Sequence, residues 1–376
     1  MARRSARVAM SKENVNGTGR SDPAGQNNAS VIIVAYNGFH YLEGCLRSVL
    51  DELGPGNEVI VVDNASTDGS ADFVAERYRQ ARLVRNTDNR GFAAANNQGA
   101  ALASGEVLVF LNQDTRVEAG WLQALVEALG VGDTVGLTTS QVLVMSQPAR
   151  IQACGQDVHY TGLVFARGFG AAAGSLGGAG PVGAVAGCSF AVRREVWQEL
   201  GGFDETLYMY YEETDLSWRA LLRGYRCLYV PDSVVYHDYR PARPTPFRFY
   251  HSARNRRLMV LKNWRWRTLF LLAPGLLVAE LVEWGLALGQ GWGGLKAKLR
   301  AELWLVSHLG LIRTLHADAQ SGRVVTDAEI LGARALVMQP QEMAVGAMGK
   351  VCITICNALL GLNHRLARRV CQVAGW

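Results

Sequence analysis

The sequence lacks the features that would assign it to a small set of familiar classes. Its seven cysteines are scattered: Cys45, Cys154, Cys188, Cys227, Cys352, Cys356 and Cys371. No pair has zinc-ligand spacing with a matching second pair. No apolar core follows the basic residues Arg3, Arg4 and Arg7, so we expect no secretory signal there. We predict reduced, mostly buried thiols in a cytoplasmic protein and a disordered arm over residues 1–28.

Long uninterrupted apolar runs are also missing. A membrane-spanning helix needs roughly 20 consecutive apolar residues. The best candidate, Leu269 to Leu288, contains Pro274, Glu280 and Glu283. We therefore predict an interfacial or core helix rather than a span, and an ordinary packed helix explains the pattern equally well.

A strong net charge is absent as well. The formal charge of +5 is too small to indicate a nucleic-acid partner. The charge is uneven, however, because nine lysines and arginines and a single acid, Asp238, lie between Asp238 and Arg267. This local excess favours an anionic partner such as lipid headgroups or phosphates.

The chain does contain a repeated pattern of short apolar strands that end in polar residues. Predicted strands over 30–35, 59–62, 83–85 and 107–111 alternate with predicted helices over 41–53, 71–79, 91–104 and 121–129. This alternation predicts right-handed βαβ units and a largely parallel sheet. Ligands of such sheets bind beyond the carboxyl ends of the strands. The residues that follow the strands are therefore the first candidates for a site.

Two acids occupy such positions. Asp63, with Tyr36 and Asn37 after the neighbouring strand, could accept hydrogen bonds from a ribose hydroxyl or a base. Asp114 could hold a divalent cation that neutralises a diphosphate. Taken alone, Asp63 is better explained by a turn or a helix cap, whereas Asp114 lies several residues too early to cap the predicted helix at 121 and is by itself a weak signal. No G-x-G-x-x-G follows the first strand, which argues against a nicotinamide-binding Rossmann domain.

The middle of the chain follows another pattern. Residues 168–183 are rich in Gly and Ala and predict a mobile loop. Helices are predicted over 194–200 and 212–222, and two short strands, 226–230 and 234–237, are separated by Pro231. A helical, aromatic-rich region follows Pro246. We expect an α/β domain over 29–240 and a helical C-terminal region over 241–376.

A third group of acids opens the predicted helix at 212. The helix macrodipole favours acids in a first turn, and Asp215 can pair with Arg219 at i, i+4, which accounts for Asp215. Neither effect explains the adjacent Glu212 and Glu213. Neighbouring like charges raise the pKa of at least one carboxyl group, which suits a general base. His237 is a candidate metal ligand, although a lone histidine is more often structural.

Eight segments, taken in order, resemble the family 2 glycosyltransferases of the GT-A fold, closest to their bacterial rhamnosyltransferase-like branch. They are Val31–Asn37, Val61–Ser70, Asn89–Gly99, Phe110–Thr115, Gly187–Arg194, Gly201–Glu205, Glu212–Arg219 and Val230–Asp232. Each segment alone is a weak signal, but the ordered set is specific. The resemblance implies a Rossmann-like, mixed, mostly parallel sheet flanked by helices, with a helical C-terminal extension.

The resemblance also implies a nucleotide-diphospho-sugar donor. The nucleoside would be held by Ala35, Tyr36, Asn37, Asp63 and Asn64, and the diphosphate and sugar would lie near Asn89, Arg90, Gly91 and Phe92. Asn112-Gln113-Asp114 corresponds to the D-x-D motif, with Asp114 as a ligand of Mg²⁺ or Mn²⁺ and His237 as a second ligand. Because Asn112 replaces the first acid of the motif, metal dependence stays open.

For the chemistry, the resemblance implies an inverting glycosyl transfer. Glu212-Glu213 corresponds to the E-D motif, with Glu in place of the catalytic Asp, so we rank Glu213 first as the base, Glu212 second and Asp215 third. The favoured donor is dTDP-rhamnose, with UDP- and GDP-sugars open. The acceptor would be a saccharide or a polyprenyl-diphosphate-linked saccharide, and the enzyme would be cytoplasmic and peripheral on the inner face of the plasma membrane.

Two other functions stay open at this point. One is a non-catalytic sugar-nucleotide-binding or polysaccharide-binding protein of the same fold, against which the acids at 114, 212 and 213 argue. The other is a nucleotidyltransferase, which would need a Gly-rich, basic phosphate loop directly after the first strand, and the sequence has none there.

Overall fold

A computed structural model describes residues 28–240, 245–335, 337–339, 341 and 346–376. The predicted disordered arm lies, except for Asn28, outside these residues. The first half of the sheet is parallel, with strands β1 (Ala29–Ala35), β2 (Glu58–Asp63), β3 (Arg82–Arg85) and β4 (Val107–Asn112) in the order β4-β1-β2-β3. Strands β1, β2 and β4 are almost entirely apolar because both faces of a parallel sheet are covered.

Helices α1 (Phe39–Asp51), α2 (Ser70–Arg77) and α3 (Gly91–Leu102) connect these strands, and α4 (Trp121–Leu129) follows β4. The predicted strands and helices of this half are confirmed to within two residues at each end. The carboxyl ends of β1 and β2 lie side by side, since Ala35 pairs with Asp63 in the register of the two strands. The sheet therefore brings the first two polar turns together.

The second half of the sheet is mixed. Strand β11 (Ser189–Arg193) runs antiparallel between β4 and β6 (Val135–Val144), and β12 (Arg226–His237) runs parallel to β6. The short strands β5 (Thr115–Val117), β7 (Gln147–Ala153) and β10 (Gly180–Val182) complete a sheet of ten strands. Strands β8 (Gln156–Val158) and β9 (Val164–Ala166) form a separate pair. No strand or helix is predicted from the sequence for the region from β6 to β9.

Two predictions for the middle of the chain are wrong. Pro231 does not divide two strands, because β12 continues through it and the missing amide hydrogen falls at a register shift between Val230 and Val234. Residues 168–183 are not a loop throughout, since β10 pairs with β12 at the edge of the sheet. The helices α5 (Arg194–Leu200) and α6 (Glu212–Leu222) have the predicted bounds.

The C-terminal region is helical, as predicted. It contains α7 (Pro246–Asn263), α8 (Trp266–Gly289), α9 (Gly291–Ser307), α10 (Leu309–Gln320), α11 (Asp327–Gly332) and α12 (Ala347–Ala374). Its core is continuous with that of the α/β region, since Trp218 of α6 packs edge-on against Trp264 at 5.3 Å in a cluster that also holds Leu272 and Leu360. The two regions are thus joined by a shared hydrophobic core.

Three bases of the segment before α8 are buried, although its composition predicts that they face an anionic partner. Arg254, Arg256 and Lys262 are buried. Arg256 pairs with Glu283 of α8 at 2.5 Å, and Lys262 pairs with Asp204 at 2.6 Å. These bases neutralise acids of the same chain, so the inference of an anionic partner is wrong for them.

Helix α8 is the one helix in the described part of the chain that is long and apolar enough to cross a membrane by length and composition. Its glutamates are tied to neighbouring helices, because Glu280 and Glu283 both accept hydrogen bonds from Lys298 of α9, at 2.8 and 2.7 Å. The helix packs against α7, α9 and α12 and leaves Phe270, Leu277 and Leu281 exposed, which is the arrangement that we expect of an interfacial helix.

Candidate active site

A cavity of about 840 Å³ opens beyond the carboxyl ends of β1 and β4 and extends to the first turn of α6. This is the place where an open α/β sheet binds ligands, and the volume suits a small-molecule site. Ten of the predicted site residues line it: Tyr36, Asn64, Asn89, Phe92, Asn112, Gln113, Asp114, Glu212, Glu213 and His237. The sheet thus brings together three groups of residues that lie far apart in the sequence.

One part of the cavity holds Asp114 and His237. Because β5 pairs antiparallel with the end of β12, Asp114, which directly precedes β5, is placed beside His237. Nε2 of His237 lies 3.2 Å from Oδ1 of Asp114. The other ring nitrogen, Nδ1, lies 2.7 Å from Oε1 of Gln152. A proton on Nδ1 that is donated to Gln152 leaves the Nε2 lone pair directed toward Asp114.

These side chains fit a divalent cation. A histidine whose second nitrogen is held by an oxygen acceptor is the usual arrangement in metal sites, and a carboxylate is a suitable ligand for Mg²⁺ or Mn²⁺. The described part of the chain has no cluster of three or more His, Cys, Asp or Glu side chains that could hold a metal by itself. Asp114 and His237 therefore supply a partial coordination shell, which leaves positions for oxygen atoms of a ligand.

Glu212 and Glu213 line another part of the cavity, where they form the start of α6. Burial raises the pKa of Glu212 well above its usual value, and the neighbouring Glu213 adds to the effect. Burial also raises the pKa of Glu213, although hydrogen bonds from backbone amides and from Gln156 oppose it. A carboxyl group whose pKa is raised in a cavity has the property expected of a general base.

Glu213 is held in a defined position. The Gln156 side chain donates to its Oε1 at 2.7 Å, and the same amide accepts a hydrogen bond from Thr214 at 2.7 Å. Gly187 lies against the carboxyl group, since a Cβ at that residue would be 3.1 Å from Cδ of Glu213. Glu212 is less constrained, because its buried Oε2 has no hydrogen-bond partner in the described part of the chain.

The segment before α6 has an uncommon backbone. Tyr208, Tyr210 and Tyr211 all have positive φ, at 63°, 70° and 77°, in the left-handed region that costs a non-glycine residue free energy. Tyr210 and Tyr211 line the cavity. The strained segment, residues 208–211, leads directly into Glu212, so its conformation sets the position of both glutamates.

Asn255 of α7 stabilises this strained segment. Its fully buried side-chain amide donates to the carbonyl groups of Leu207, Met209 and Tyr210, at distances of 2.9, 2.9 and 2.7 Å. Arg254 donates to Oδ1 of Asn255 at 2.8 Å and so fixes which way the amide points. The C-terminal helices thereby hold the segment that leads into α6 in place.

The strained segment also contacts the loop before α3. The amide of Phe92 donates to the carbonyl of Tyr208 at 2.8 Å. Gly91 has a φ of +80°, and a Cβ there would be 2.5 Å from the Tyr208 ring. Glycine is thus required at 91 for this close approach. The backbone geometry accounts for the residue, and no contact with a ligand is needed to explain it.

The predicted nucleoside residues divide into two groups. The exposed Tyr36 lines the cavity, and its backbone amide and carbonyl both bond to the side chain of Gln113, at 3.0 and 3.1 Å. Asn64 lines it too, but it uses its amide to shape the neighbouring loop, with bonds to Asn89 and to the amide of Arg90. Asn64 therefore positions the loop that carries Asn89 and Phe92.

Six predicted residues do not line the cavity: Ala35, Asn37, Asp63, Arg90, Gly91 and Asp215. Ala35 is fully buried, and Asn37 faces the turn after β2, where its Oδ1 accepts from Thr67. Asp63 is buried, with one oxygen bonded to the amide of Ser66 and the other, Oδ1, without a partner in the described residues. Any contact of Asp63 with a nucleoside stays a prediction that would use this Oδ1.

Asp215, ranked third as a base, has a different place. Its carboxylate pairs with Arg219 at 2.7 Å and Lys262 at 2.9 Å, and it accepts from Asn263 at 3.0 Å. These cations overcome the effect of burial and lower the pKa of Asp215 to about 2. The predicted ion pair with Arg219 is confirmed. A carboxylate that is held in ion pairs and has a lowered pKa is a poor base, so Asp215 is not suited to take a proton.

The sequence did not identify Gln152, Gln156 or Asn255 as site residues. The two glutamines lie in the region from β7 to β8, which has no hydrophobic periodicity strong enough to place it beside α6. Asn255 lies in the segment Tyr250–Arg257, which resembles the Arg-Asn segment that follows the catalytic domain in the rhamnosyltransferase-like branch. That position is the signal that could have found it.

The comparisons with known proteins agree with this architecture. Residues 30–201 match the family model described as Glycosyl transferase family 2. Among solved structures, GalNAc-T7 with UDP, GalNAc and Mn²⁺ has a TM-score of 0.54 at 20% identity, covering 67% of this chain and 50% of that one. S. aureus TarS 1-349 in complex with UDP-GlcNAc has a TM-score of 0.53 at 15% identity and covers 92% of both chains. These similarities show the fold.

Two curated relatives come from Mycobacterium tuberculosis. A pre-mycofactocin glycosyltransferase is 28% identical over 187 residues, which is 49% of this chain and 38% of the relative. An N-acetylglucosaminyl-diphospho-decaprenol L-rhamnosyltransferase is 26% identical over 234 residues, or 55% of this chain and 75% of the relative. The chain thus spans less than half the length of the first of them.

Proposed function

Residues 30–201 form a domain of glycosyl transferase family 2, and on that premise we propose that the protein is an inverting glycosyltransferase that uses a nucleotide-diphospho-sugar. The observation that carries the proposal is that two glutamates with raised pKa share one cavity with Asp114 and His237. A base and a diphosphate site in one cavity are the two parts that a single displacement needs.

In this mechanism Glu213 takes the proton of an acceptor hydroxyl while that oxygen forms a bond to the anomeric carbon. The bond from the anomeric carbon to the diphosphate oxygen breaks, and the diphosphate leaves with the electron pair. Gln156 holds Glu213 in place, which favours it over Glu212 as the base. A covalent glycosyl-enzyme would need a second carboxylate placed as a nucleophile, and Asp215 is fully engaged in ion pairs.

Asp114 and His237 would hold the divalent cation, Mg²⁺ or Mn²⁺. When bound, such a cation neutralises charge on the departing diphosphate. Asn112, in place of an acid, lowers the negative charge of this part of the cavity. The oxygen atoms of the donor diphosphate would then complete the shell that the two protein ligands leave open.

We favour dTDP-rhamnose as the donor and a polyprenyl-diphosphate-linked saccharide as the acceptor. The support is the similarity to a relative whose name describes an L-rhamnosyltransferase that acts on a decaprenol-linked sugar. UDP- and GDP-sugars are the alternatives to include in a screen. The enzyme would act in the cytoplasm, at the inner face of the plasma membrane, where a lipid-linked acceptor is available.

The test is a comparison of Glu213→Gln with Glu212→Gln in the full chain. Removing the general base should lower transfer about 10²–10⁴-fold and leave binding of the donor unchanged, as measured by thermal shift with the nucleotide sugar. Glu212→Gln should lower transfer less. Full activity of Glu213→Gln, or a greater loss in Glu212→Gln, would reject the assignment of the base.

Product analysis with a labelled sugar nucleotide separates the remaining functions. A glycosyltransferase releases the nucleoside diphosphate and labels the acceptor. A nucleotidyltransferase would release diphosphate or a nucleotidyl product instead, and a non-catalytic binding protein would shift in melting temperature without turnover.

A further inference from the structure

Helix α12 has two apolar faces, and the described part of the chain covers only one of them. Leu360, His364, Ala367 and Cys371 are buried against the rest of the C-terminal region. The other face is an exposed stripe, which we call the α12 stripe, of Ile355, Leu359, Leu362, Leu366, Val370 and Val373. These side chains recur at intervals of three or four residues and are 42–85% exposed, so they form one continuous ridge.

The charge of the same helix has one sign. Between Gly346 and Trp376 the chain has Lys350, Arg365, Arg368 and Arg369 and no aspartate or glutamate. Arg365 and Arg369 follow Leu362 and Leu366 by three residues each, which places them alongside the α12 stripe. All four bases are exposed, and none of them forms an ion pair within the part of the chain that the structure describes.

An apolar stripe flanked by bases is the pattern of a helix that lies in the surface of a membrane with anionic lipids. A second copy of the chain is the main alternative occupant. In a symmetric dimer through this stripe, the same surface would meet itself, and the arginines of both copies would flank one interface that has no acid to neutralise them. The charges therefore favour lipid over a second copy.

We propose that the α12 stripe docks the protein on an anionic membrane surface, with its aliphatic side chains among the acyl chains and Arg365 and Arg369 at the headgroups. The docking surface does not depend on the proposed function; only its purpose, access to a lipid-linked acceptor, rests on that function. The helix α8, which packs against α12, exposes Phe270, Leu277 and Leu281 and adds apolar surface to the same region of the protein.

The docking helix is connected to the wall of the catalytic cavity. The Tyr160 hydroxyl donates to the carbonyl of Leu360 in α12 at 3.0 Å, and Tyr160 immediately follows the β8 segment that carries Gln156. Gln341, which precedes α12 in the chain, bonds to both backbone groups of Ala166 and lines the cavity. A membrane under α12 would thus lie close in the structure to elements that position the base.

The test uses the purified full chain and sedimentation with vesicles of phosphatidylcholine alone or with one third phosphatidylglycerol. We expect binding to the anionic vesicles, and at least a tenfold loss of it in Leu362→Gln/Leu366→Gln. Arg365→Gln/Arg369→Gln should weaken binding to anionic vesicles and reduce its dependence on salt. The matched control is Leu303→Gln/Val306→Gln, which changes two equally exposed aliphatic residues of α9 and should bind as the wild type does.

Several results would overturn the proposal. They are equal binding by the α12 variant and the wild type, an equal loss in the α9 control, or a dimer in light scattering that the α12 variant converts to a monomer. Donor hydrolysis in solution is measured for each variant in parallel. If the wild type hydrolyses the donor but does not bind the anionic vesicles, the docking surface is rejected and the proposed function stands.

Discussion

The segment of three tyrosines before α6 offers a sharp test of how the C-terminal helices support catalysis. Three non-glycine residues with positive φ cost about 1–2 kcal/mol each, so the segment needs external contacts to keep its shape. The two N–H groups of the Asn255 amide contact the carbonyls of Met209 and Tyr210 in the segment and of Leu207 directly before it, so one of these contacts is shared. At about 1 kcal/mol net for each N–H group, Asn255→Ala should remove about 2 kcal/mol of support for the segment.

The expected result is a loss of kcat at nearly constant donor affinity. Without the amide, the segment relaxes and Glu213 leaves its position, so the reactive arrangement has to be regained at a cost of up to about 2 kcal/mol, or about 30-fold in kcat. Asp114 and His237 do not contact Asn255, so the Kd of the donor should stay within about twofold. Steady-state kinetics and a thermal-shift titration measure the two quantities.

Asn263→Ala is the matched control. Asn263 lies on the same helix, is equally buried, and donates two hydrogen bonds, to Asp215 and to Met259, but it does not contact the strained segment. It should lower the free energy of unfolding with little change in kcat. If Asn255→Ala lowers the melting temperature as the control does and keeps kcat within twofold, the role of Asn255 is stability alone and the positioning argument is refuted.

Three further predictions follow from charged groups of the site. Burial raises the pKa of both Glu212 and Glu213, and the base must be ionised to take a proton. As the pH decreases, kcat/KM should therefore fall with an apparent pKa above the usual glutamate range. An apparent pKa at or below about 4.5 would contradict this. The pKa of Asp215 is lowered to about 2, so its contribution of about 2 kcal/mol to stability is present above about pH 4 and is lost as the pH falls toward 2. Urea unfolding of Asp215→Asn at pH 7 should show the same loss of stability. An unchanged midpoint would contradict this. Asp114→Asn should remove the additional thermal shift that Mn²⁺ gives in the presence of a nucleotide sugar, while the shift from the nucleotide sugar alone stays; an undiminished effect of Mn²⁺ would place the cation elsewhere.

The first half of the fold could be predicted from the sequence because its signals are local. The runs around Ile33, Val61 and Val109 are apolar without interruption, and each ends in polar turn residues, so both the strands and their order along the chain are visible. The region from β6 to β9 has weaker signals, since β7, β8 and β9 are partly exposed and β6 pairs with β11 and β12, which are distant in sequence. Its place beside α6 is decided by tertiary packing.

The same distinction applies to the candidate site. Asp114, Glu212 and Glu213 could be found because acids after a strand and at a helix start are unusual enough to be noticed in a sequence. The pairing of His237 with Gln152 depends on two strands that lie on opposite sides of β6 in the sheet. The basic residues of α7 were misjudged because composition counts charges but does not show that Arg256 and Lys262 face buried acids.

Lys262 has a consequence for how this protein could diversify. It belongs to the C-terminal helices, yet it neutralises Asp204 and Asp215 in the α/β region. A recombination event or an engineered chimera that joined this α/β region to the C-terminal helices of a relative would leave both acids buried without a counter-ion unless the new helix brought its own base, which costs several kcal/mol. New acceptor preferences should therefore arise by gradual substitution within the existing helices more readily than by exchange of modules.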